Sequence, residues 1–423
     1  MSEQAPPPSI RPLRRAAFGF IFATAIMNAL SFGIMIPVLP NLIRSFVGGA
    51  TVQGTAQASE WQFVFATAWG LMQFVFGPIL GMLSDRYGRR PVMLISIFGL
   101  AVDFLFMAFA PTLAWLLVGR IISGMTASSF STANAYVADV TAPERRARNF
   151  GLMGSAFSIG FLGGPALGGF LADINLRLPF MVAAGLCAIN WLYGLFLLPE
   201  SLPPERRIAA FIWRRANPLG SLKLLRSHRE LLGFAVTYFL FVLAQNVLPN
   251  IFVLYTTLRY HWTMGFLGVT FVITGALGIL VSAFLVGPVV RRIGERGAVL
   301  LGAFSGAVGF TIYALASTSL TYFIGMPIFA LMGLMQPGLQ GLMTRRVGPS
   351  AQGQLQGANQ SLQGIASIVG PGLFTLTFAW ALRHDASLHL PGLPILIAAA
   401  LLALAFVLAA RTAASLRPSQ QAI

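Results

Sequence analysis

Apolar runs recur along the whole chain, from Ala16 to Ala410, separated by short clusters of polar residues, Gly and Pro. Many of them reach the roughly 20 residues that an α-helix needs to cross the hydrocarbon core of a bilayer. The pattern predicts twelve spans, at residues 16–43, 61–84, 92–110, 113–138, 149–172, 176–199, 231–256, 263–288, 297–316, 319–343, 355–381 and 391–411. Most connectors are short, so neighbouring spans are expected to run antiparallel. The longest polar stretch, Glu200–Glu230, holds Pro203, Pro204 and seven basic residues. It reads as a linker between two six-helix bundles, 16–199 and 231–411, flanked by an N-terminal arm (1–15) and a tail (412–423). The expected fold class is an all-α polytopic membrane protein. Residues 47–59, rich in Gly, Thr, Gln and Ala, read as a flexible loop.

Two signatures repeat in one register. Between spans 2 and 3, Gly81-Met82-Leu83-Ser84-Asp85-Arg86-Tyr87-Gly88-Arg89-Arg90-Pro91 combines an acid, three arginines and a turn glycine. A weaker echo, Gly287 to Arg296, follows 206 residues later, with Gly294 matching Gly88. Gly164-Pro165 and Gly370-Pro371 keep the same offset. Repetition in register implies a duplicated membrane protein, the way many secondary transporters are built. In the echo, Arg291 stands where Asp85 stood, and Arg345 corresponds to Asp139. Acids in one bundle and arginines in the other suit a contact that can be made and broken. Asp85 has two available partners: Arg89, four residues on, or the free amides of a helix N-terminus in the other bundle. For Arg86 and Arg90 the plainer reading is that they only set topology.

Charge restricts the function classes. Charged residues make up 9% of the chain and hydrophobic ones 56%, with mean hydropathy +0.76. The net charge of +16 does not signal nucleic acid, because its placement follows the spans. Of 28 basic residues, 23 fall in the arm, the even-to-odd connectors and the tail. Four fall on the opposite side (Arg44, Arg177, Arg259, Arg383), and Arg120 lies within a span. This asymmetry places both termini in the cytoplasm by the positive-inside rule. Arg14 and Arg15 before an apolar stretch resemble a signal peptide, but that stretch is long and further spans follow, so the first helix is expected to be retained. The single cysteine, Cys187, falls in a span and excludes an intrachain disulfide.

In span 5, Gly160, Gly164 and Gly168 sit at i, i+4 and i+8, one smooth face for close helix packing, and Pro165 removes an amide and favours a kink. Span 11 repeats this with Gly370 and Pro371. Whether these kinks serve only architecture or also rocking of the bundles is left open by the residues. Two ionisable groups lie deep in spans, Asp103 in span 3 and Arg120 in span 4, and such groups are costly in hydrocarbon. Burial penalises the charge on Asp103, which suits proton uptake and release, although it could equally serve only to join neighbouring helices. Arg120 is a candidate to tune that site, to meet an anionic substrate, or to pair with backbone carbonyls. Amides and aromatics suit a cavity for a weakly charged amphipathic molecule. The candidates are Asn28, Gln73 and Asn134, then Gln245, Asn246, Gln336, Gln340, Asn359 and Gln363.

Gly81 to Pro91 resembles the helix 2–3 loop signature of the major facilitator superfamily. Gly160-x3-Gly164-Pro165-x2-Gly168-Gly169 resembles the helix 5 signature of its antiporters, and Leu116-x3-Arg120-x3-Gly124 the helix 4 signature of its proton-coupled members. Ile36 to Pro40, Leu71 to Phe74, Ala101-Val102-Asp103, Leu198 to Ser201, His261-Trp262 and Gly353 to Gly357 resemble the bacterial tetracycline/proton antiporters. The resemblance implies a drug/proton antiporter of the bacterial inner membrane that works as a monomer, driven by the proton gradient, with no metal or other cofactor. It implies a proton role for Asp103 and a gating role for the helix 2–3 loop. The chain departs from that family at two positions: Asn28 and Gly306 stand where the family has intramembrane acids. This speaks against export of a metal–tetracycline chelate. His261 at the outer end of span 8 leaves a proton role open. Two other readings remain: a facilitator or symporter of a metabolite with a structural Asp103, and a non-transporting receptor or enzyme. For an enzyme there is no metal-binding His/Glu helix, nucleophile elbow or phosphate loop.

Overall fold

The computed structural model describes residues 11–49, 51–141, 146–207, 229–347, 352–384 and 390–414. The first ten residues of the expected arm, most of the Glu200–Glu230 linker and the end of the tail lie outside them. Fifteen α-helices carry the fold. The first seven are α1 (Arg11–Phe46), α2 (Val52–Tyr87), α3 (Arg89–Phe109), α4 (Leu113–Thr126), α5 (Ser129–Val140), α6 (Arg146–Ile174) and α7 (Leu178–Leu197). The others are α8 (Arg229–Gln245), α9 (Val247–Tyr260), α10 (Met264–Leu280), α11 (Val286–Leu315), α12 (Ser319–Ala330), α13 (Met335–Thr344), α14 (Gln352–Arg383) and α15 (Leu393–Ala414). No strand occurs among the described residues.

Eleven stretches are long and apolar enough to cross a membrane. Ten coincide with single predicted spans; the eleventh, Met264–Leu315, runs 52 residues and contains a non-helical glycine, Gly294 (φ 72, ψ 173). Large apolar side chains such as Ile174, Phe196, Phe284 and Leu320 are 70–78% exposed, as lipid-facing residues are. The loop expected at 47–59 is helical from Val52 onward. Thr51 caps α2 by accepting a hydrogen bond from the Gly54 amide (2.9 Å), so the helix already begins at Val52.

Several spans are broken near their middles. Span 4 divides into α4 and α5 at Ala127–Ser128, where the backbone leaves helical geometry (Ser128 φ −129, ψ 5). Span 7 divides at Asn246, and span 10 passes through a 3₁₀ turn at Leu331–Leu334 between α12 and α13. A π-helical segment, Val281–Leu285, interrupts span 8. The two repeat glycines both take left-handed dihedrals, Gly88 at φ 111 and Gly294 at φ 72. Only glycine adopts these without strain, which explains why glycine stands at both turns.

Helices α1–α7 pack mainly on one another, and so do α8–α15. Between these groups α2 lies along α14 and α6 along α10. The glycine face of α6 packs inside the first group, on α1, and not across the seam. A Cβ at Gly164 would sit 2.6 Å from the Leu30 carbonyl oxygen and 2.7 Å from Gly33 Cα, and one at Gly168 would sit 2.9 Å from Ile34 Cα. Helices α6 and α14 both continue through Pro165 and Pro371.

Replacing Gly164 with Val should force α1 and α6 apart and cost on the order of 1–3 kcal/mol, as overpacking does. Thermal unfolding in detergent should show a lowered midpoint for Gly164→Val and none for Gly154→Ala, whose added methyl meets nothing within 4 Å.

Candidate functional site

The polar contacts that cross the seam gather towards one end of the molecule, where α1 meets α2 and α9 meets α10. Asp173, near the end of α6, accepts from the Met264 and Gly265 amides (3.1 and 2.9 Å) and so caps α10. The free amides at a helix N-terminus favour such a carboxylate. Asn41 donates to Met264 Sδ (3.2 Å), Ser59 Oγ donates to the Thr375 carbonyl (2.8 Å), and Arg383 pairs with Glu60 (2.5 Å). Close backbone packing extends the clasp inward. A Cβ at Gly268 would lie 2.9 Å from Pro165 O, and one at Gly70 3.3 Å from Ser367 O.

Towards the other end the seam opens. Cβ atoms added at Gly77 and Gly81 of α2, or at Gly278 of α10, meet nothing within 4 Å. Here a cavity of about 270 Å³ lies between α6 and α10, walled by Phe157, Phe161 and Phe271 with Ser158, Thr274 and Ser282. None of the nine amides expected to line a substrate cavity borders it. Asn28 and Asn359 each hold a buried side-chain oxygen without a hydrogen-bond partner. Gln73, Asn134 and Gln245 are partly buried. Asn246 donates to Val242 O (2.8 Å) and packs on Gly370, while Gln336, Gln340 and Gln363 are exposed.

At this open end the charges are satisfied within each group. Arg89 pairs with Asp85 and, through Nε, with Asp139 Oδ2 (3.1 Å). Glu295 pairs with Arg345 (2.9 Å). Among the described residues no ion pair joins the two groups here, and Arg291 and Arg86 are exposed. Arg90 has more than a topological part, since its Nη2 donates to Leu195 O (2.6 Å) and ties α3 to α7. Glu200, assigned to the linker by its sequence, instead caps α3. It accepts from the Arg89 amide (2.8 Å) and the Arg90 amide (3.2 Å), and fills the space that a side chain at Gly88 would take. Ser201 Oγ donates to Asp139, and Tyr136 OH donates to Pro199 O (2.8 Å). The sequence placed Glu200 in the linker and in the family-like stretch Leu198 to Ser201, but nothing local marks it as the cap of a helix 111 residues away.

Asp103 on α3 and Arg120 on α4 form a buried ion pair. Arg120 Nε donates to Asp103 Oδ1 (3.1 Å), Nη2 lies against Oδ2, and the side chains are 0% and 5% exposed. Gly119 makes room for the carboxylate, as a Cβ there would sit 3.0 Å from Asp103 Oδ1. Of the three roles open to Arg120 (tuning the Asp103 site, meeting an anionic substrate, pairing with backbone carbonyls), its place on the Asp103 carboxylate fits the first. Gly306 is packed against Leu402 and Met332, so no space for an acid remains there. His261 is exposed and takes a left-handed conformation (φ 55) at the end of α9, a capping position.

Comparison with known proteins follows the same lines. The sequence profile of the Major Facilitator Superfamily matches residues 21–371. The chain is 37% identical to the class C tetracycline resistance protein of Escherichia coli, over 85% of this chain and 89% of that one. It is 35% identical to the class G tetracycline resistance protein of Vibrio anguillarum, over 88% and 94%. Its fold is similar to that of the human organic anion transporter MFSD10, with a TM-score of 0.67 and 24% identity, covering 96% of this chain and 100% of that one.

Removing one member of the Asp103–Arg120 pair should be far costlier than removing both. Asp103→Leu or Arg120→Met alone leaves an uncompensated charge and should cost about 3–5 kcal/mol, while the double variant regains most of it. Thermal unfolding of the three proteins checks this. Asp173→Ala, which uncaps α10, should increase labelling, from the α9–α10 side, of a cysteine placed at Ala166, which lies against Gly268 at the seam. Unchanged labelling would show that Asp173 holds nothing shut.

Proposed function

The chain belongs to the major facilitator superfamily, and from that premise we propose that it exports small amphipathic, drug-like compounds in exchange for protons, metal-free tetracyclines or related molecules among them, since Asn28 and Gly306 offer no acids to a metal chelate. The observation that carries the transport reading is the seam, clasped at one end and parted at the other around a cavity at mid-depth. Relatives named as tetracycline resistance proteins, at 31–37% identity among classes B, C and G, support the cargo class.

The chain crosses the membrane twelve times, with both termini cytoplasmic. Supporting this, a 52-residue helix would measure about 78 Å if straight, well over twice a 30 Å hydrocarbon core. Gly294 supplies the turn between two crossings. The bundles then comprise 16–199 and 231–411, joined by the 200–230 linker. With 23 of the 28 basic residues on the cytoplasmic side, the clasped end faces outward, so this conformation is open to the cytoplasm. Rocking the bundles would break the outer clasp and bring the cytoplasmic loops together, with Asp85, Asp139, Arg291 and Arg345 exchanging partners across the seam.

In this reading Asp103 is the coupling acid and Arg120 its counter-charge. A proton reaching Asp103 neutralises it and leaves Arg120 without a partner, which favours a new arrangement of α3 against α4. The complete burial of the pair supports a second reading equally well: Asp103 only joins α3 to α4, and the chain is a facilitator or symporter of a metabolite.

Expression in a pump-deficient bacterial strain should raise the inhibitory concentration of tetracycline several-fold. In everted vesicles, tetracycline should elicit proton release that Asp103→Asn abolishes while the variant still binds drug. Proton release at the native rate from Asp103→Asn would eliminate the antiport role of that residue and leave the facilitator reading.

A further inference from the structure

We propose that the cavity between α6 and α10 is a drug subsite that takes an aromatic, uncharged surface whose edge carries N–H or O–H donors; this rests on the export reading above. The cavity faces the interior of the transporter. On α6, Ile159, Phe170 and Ile174 are 56–77% exposed and mark the lipid side. Phe161 stands nine residues from Phe170, about 180° around the helix at 100° per residue. On α10 the exposed Val269, Ile273, Leu280 and Phe284 likewise point away from Thr274, Gly278 and Ser282. The lining therefore lies where the two bundles part, and a ligand there touches both.

The wall specifies the ligand. Phe157 and Phe161 stack with centroids 5.7 Å apart and planes 16° from parallel, and Phe271 stands opposite on α10. Phenyl rings on both facing walls offer an aromatic ligand offset-stacked or edge-to-face contacts. The three hydroxyls are committed as donors to their own helices. Ser158 donates to Gly154 O (3.0 Å), Thr274 to Thr270 O (2.9 Å) and Ser282 to Ile279 O (3.2 Å). With these bonds kept, each hydroxyl oxygen still has lone pairs to offer, so the lining presents hydrogen-bond acceptors. No acid or base lines the cavity, which disfavours a ligand carrying its charge at this surface.

The site also sits where it can sense the clasp. Leu162 on α6 meets Gly275 on α10 at the edge of the cavity, eleven residues along α6 from Asp173. At 1.5 Å per residue the cavity begins about 16 Å inward of the Asp173 cap. A ligand wedged at the cavity acts on the same two helices that Asp173 joins.

Gly278 provides the test, since a side chain there meets nothing and would project into the cavity. Equilibrium binding of labelled tetracycline to purified, detergent-solubilised protein should weaken about tenfold in Gly278→Leu. Phe161→Leu, which keeps apolar volume but removes the ring, should weaken it several-fold. Gly77→Leu, in open space on α2, should bind as the native chain does. In vesicles Gly278→Leu should raise KM for tetracycline and leave kcat near native, and Ser158→Ala with Thr274→Val should do the same. Native binding by both Gly278→Leu and Phe161→Leu, or no tetracycline binding by the native chain, would overturn the subsite. A native chain that binds tetracycline but does not move it across vesicles would instead refute export and leave the subsite standing.

Discussion

The cost of a charge in hydrocarbon, about 2.5–3.5 kcal/mol at the centre of a spanning helix, orders this molecule. Among the described residues, charges gather at helix ends, where several are paired or capped: Asp85, Arg89 and Asp139 in one cluster, Glu295 and Arg345 in another, Asp173 and Glu200 on helix N-termini. All but the Asp173 cap, which crosses the seam, stiffen each group of helices at its ends. Between them the seam is left to glycine, methyl and hydroxyl surfaces, which can slide and part without stranding a charge. Only Asp103 and Arg120 break the pattern among the described residues, and each exists there because the other does.

Duplication explains the architecture, and its exceptions locate the specialised parts. At the 206-residue offset, the Arg89–Asp139 pair becomes Glu295–Arg345, the same bridge with its charges exchanged. The break at Ala127–Ser128 corresponds to the 3₁₀ turn ending at Leu334, and the break at Asn246 to Pro40 in α1. Asp103 and Arg120, however, correspond to Gly309 and Met326, both buried in the second group. A Cβ at Gly309 would lie 2.7 Å from Phe329 Cα, so the second group closes in backbone packing the space that the first fills with an ion pair. A pair needed only for helix packing has a working apolar substitute in the same molecule, which gives its retention in the first group a reason beyond packing.

The spans were legible because each is a long apolar run, and the helix 2–3 loop because charges are scarce enough for a cluster to stand out. The four-residue spacing offered Arg89 as one of two partners for Asp85, and that is the one it takes. Less local features were not legible. The smooth face of α6 was evident, but sequence periodicity cannot say which helix lies on it, and it proved to be α1. Polar residues drew attention to an amide-lined cavity, whereas the cavity between α6 and α10 is built from Phe, Ser, Thr and Gly, residue types that also cover ordinary helix surfaces. Asp173 and Glu200 act on helix ends 91 and 111 residues away, a relation that no window on the chain contains.

The strength of the outer clasp fits a gate better than a permanent joint. The Glu60–Arg383 pair is 35% and 53% exposed, so screening leaves it worth about 0–1 kcal/mol. Ser59 adds one neutral hydrogen bond of about 1 kcal/mol, and the two bonds to the exposed Asp173 fall at or below the 1.5–3 kcal/mol typical of charged acceptors. These polar contacts together reach on the order of 5 kcal/mol at most, close to the roughly 5.5 kcal/mol that takes a two-state equilibrium from 1:99 to 99:1, with the close packing at Gly268 and Gly70 added to them. A clasp of that size holds one conformation at rest and yields to a ligand wedged between α6 and α10 or to a change of charge at Asp103. Extended, uninterrupted apolar packing along the whole seam would have exceeded what either event can supply; the parting of the helices below Leu162 and Gly275 keeps the balance within reach.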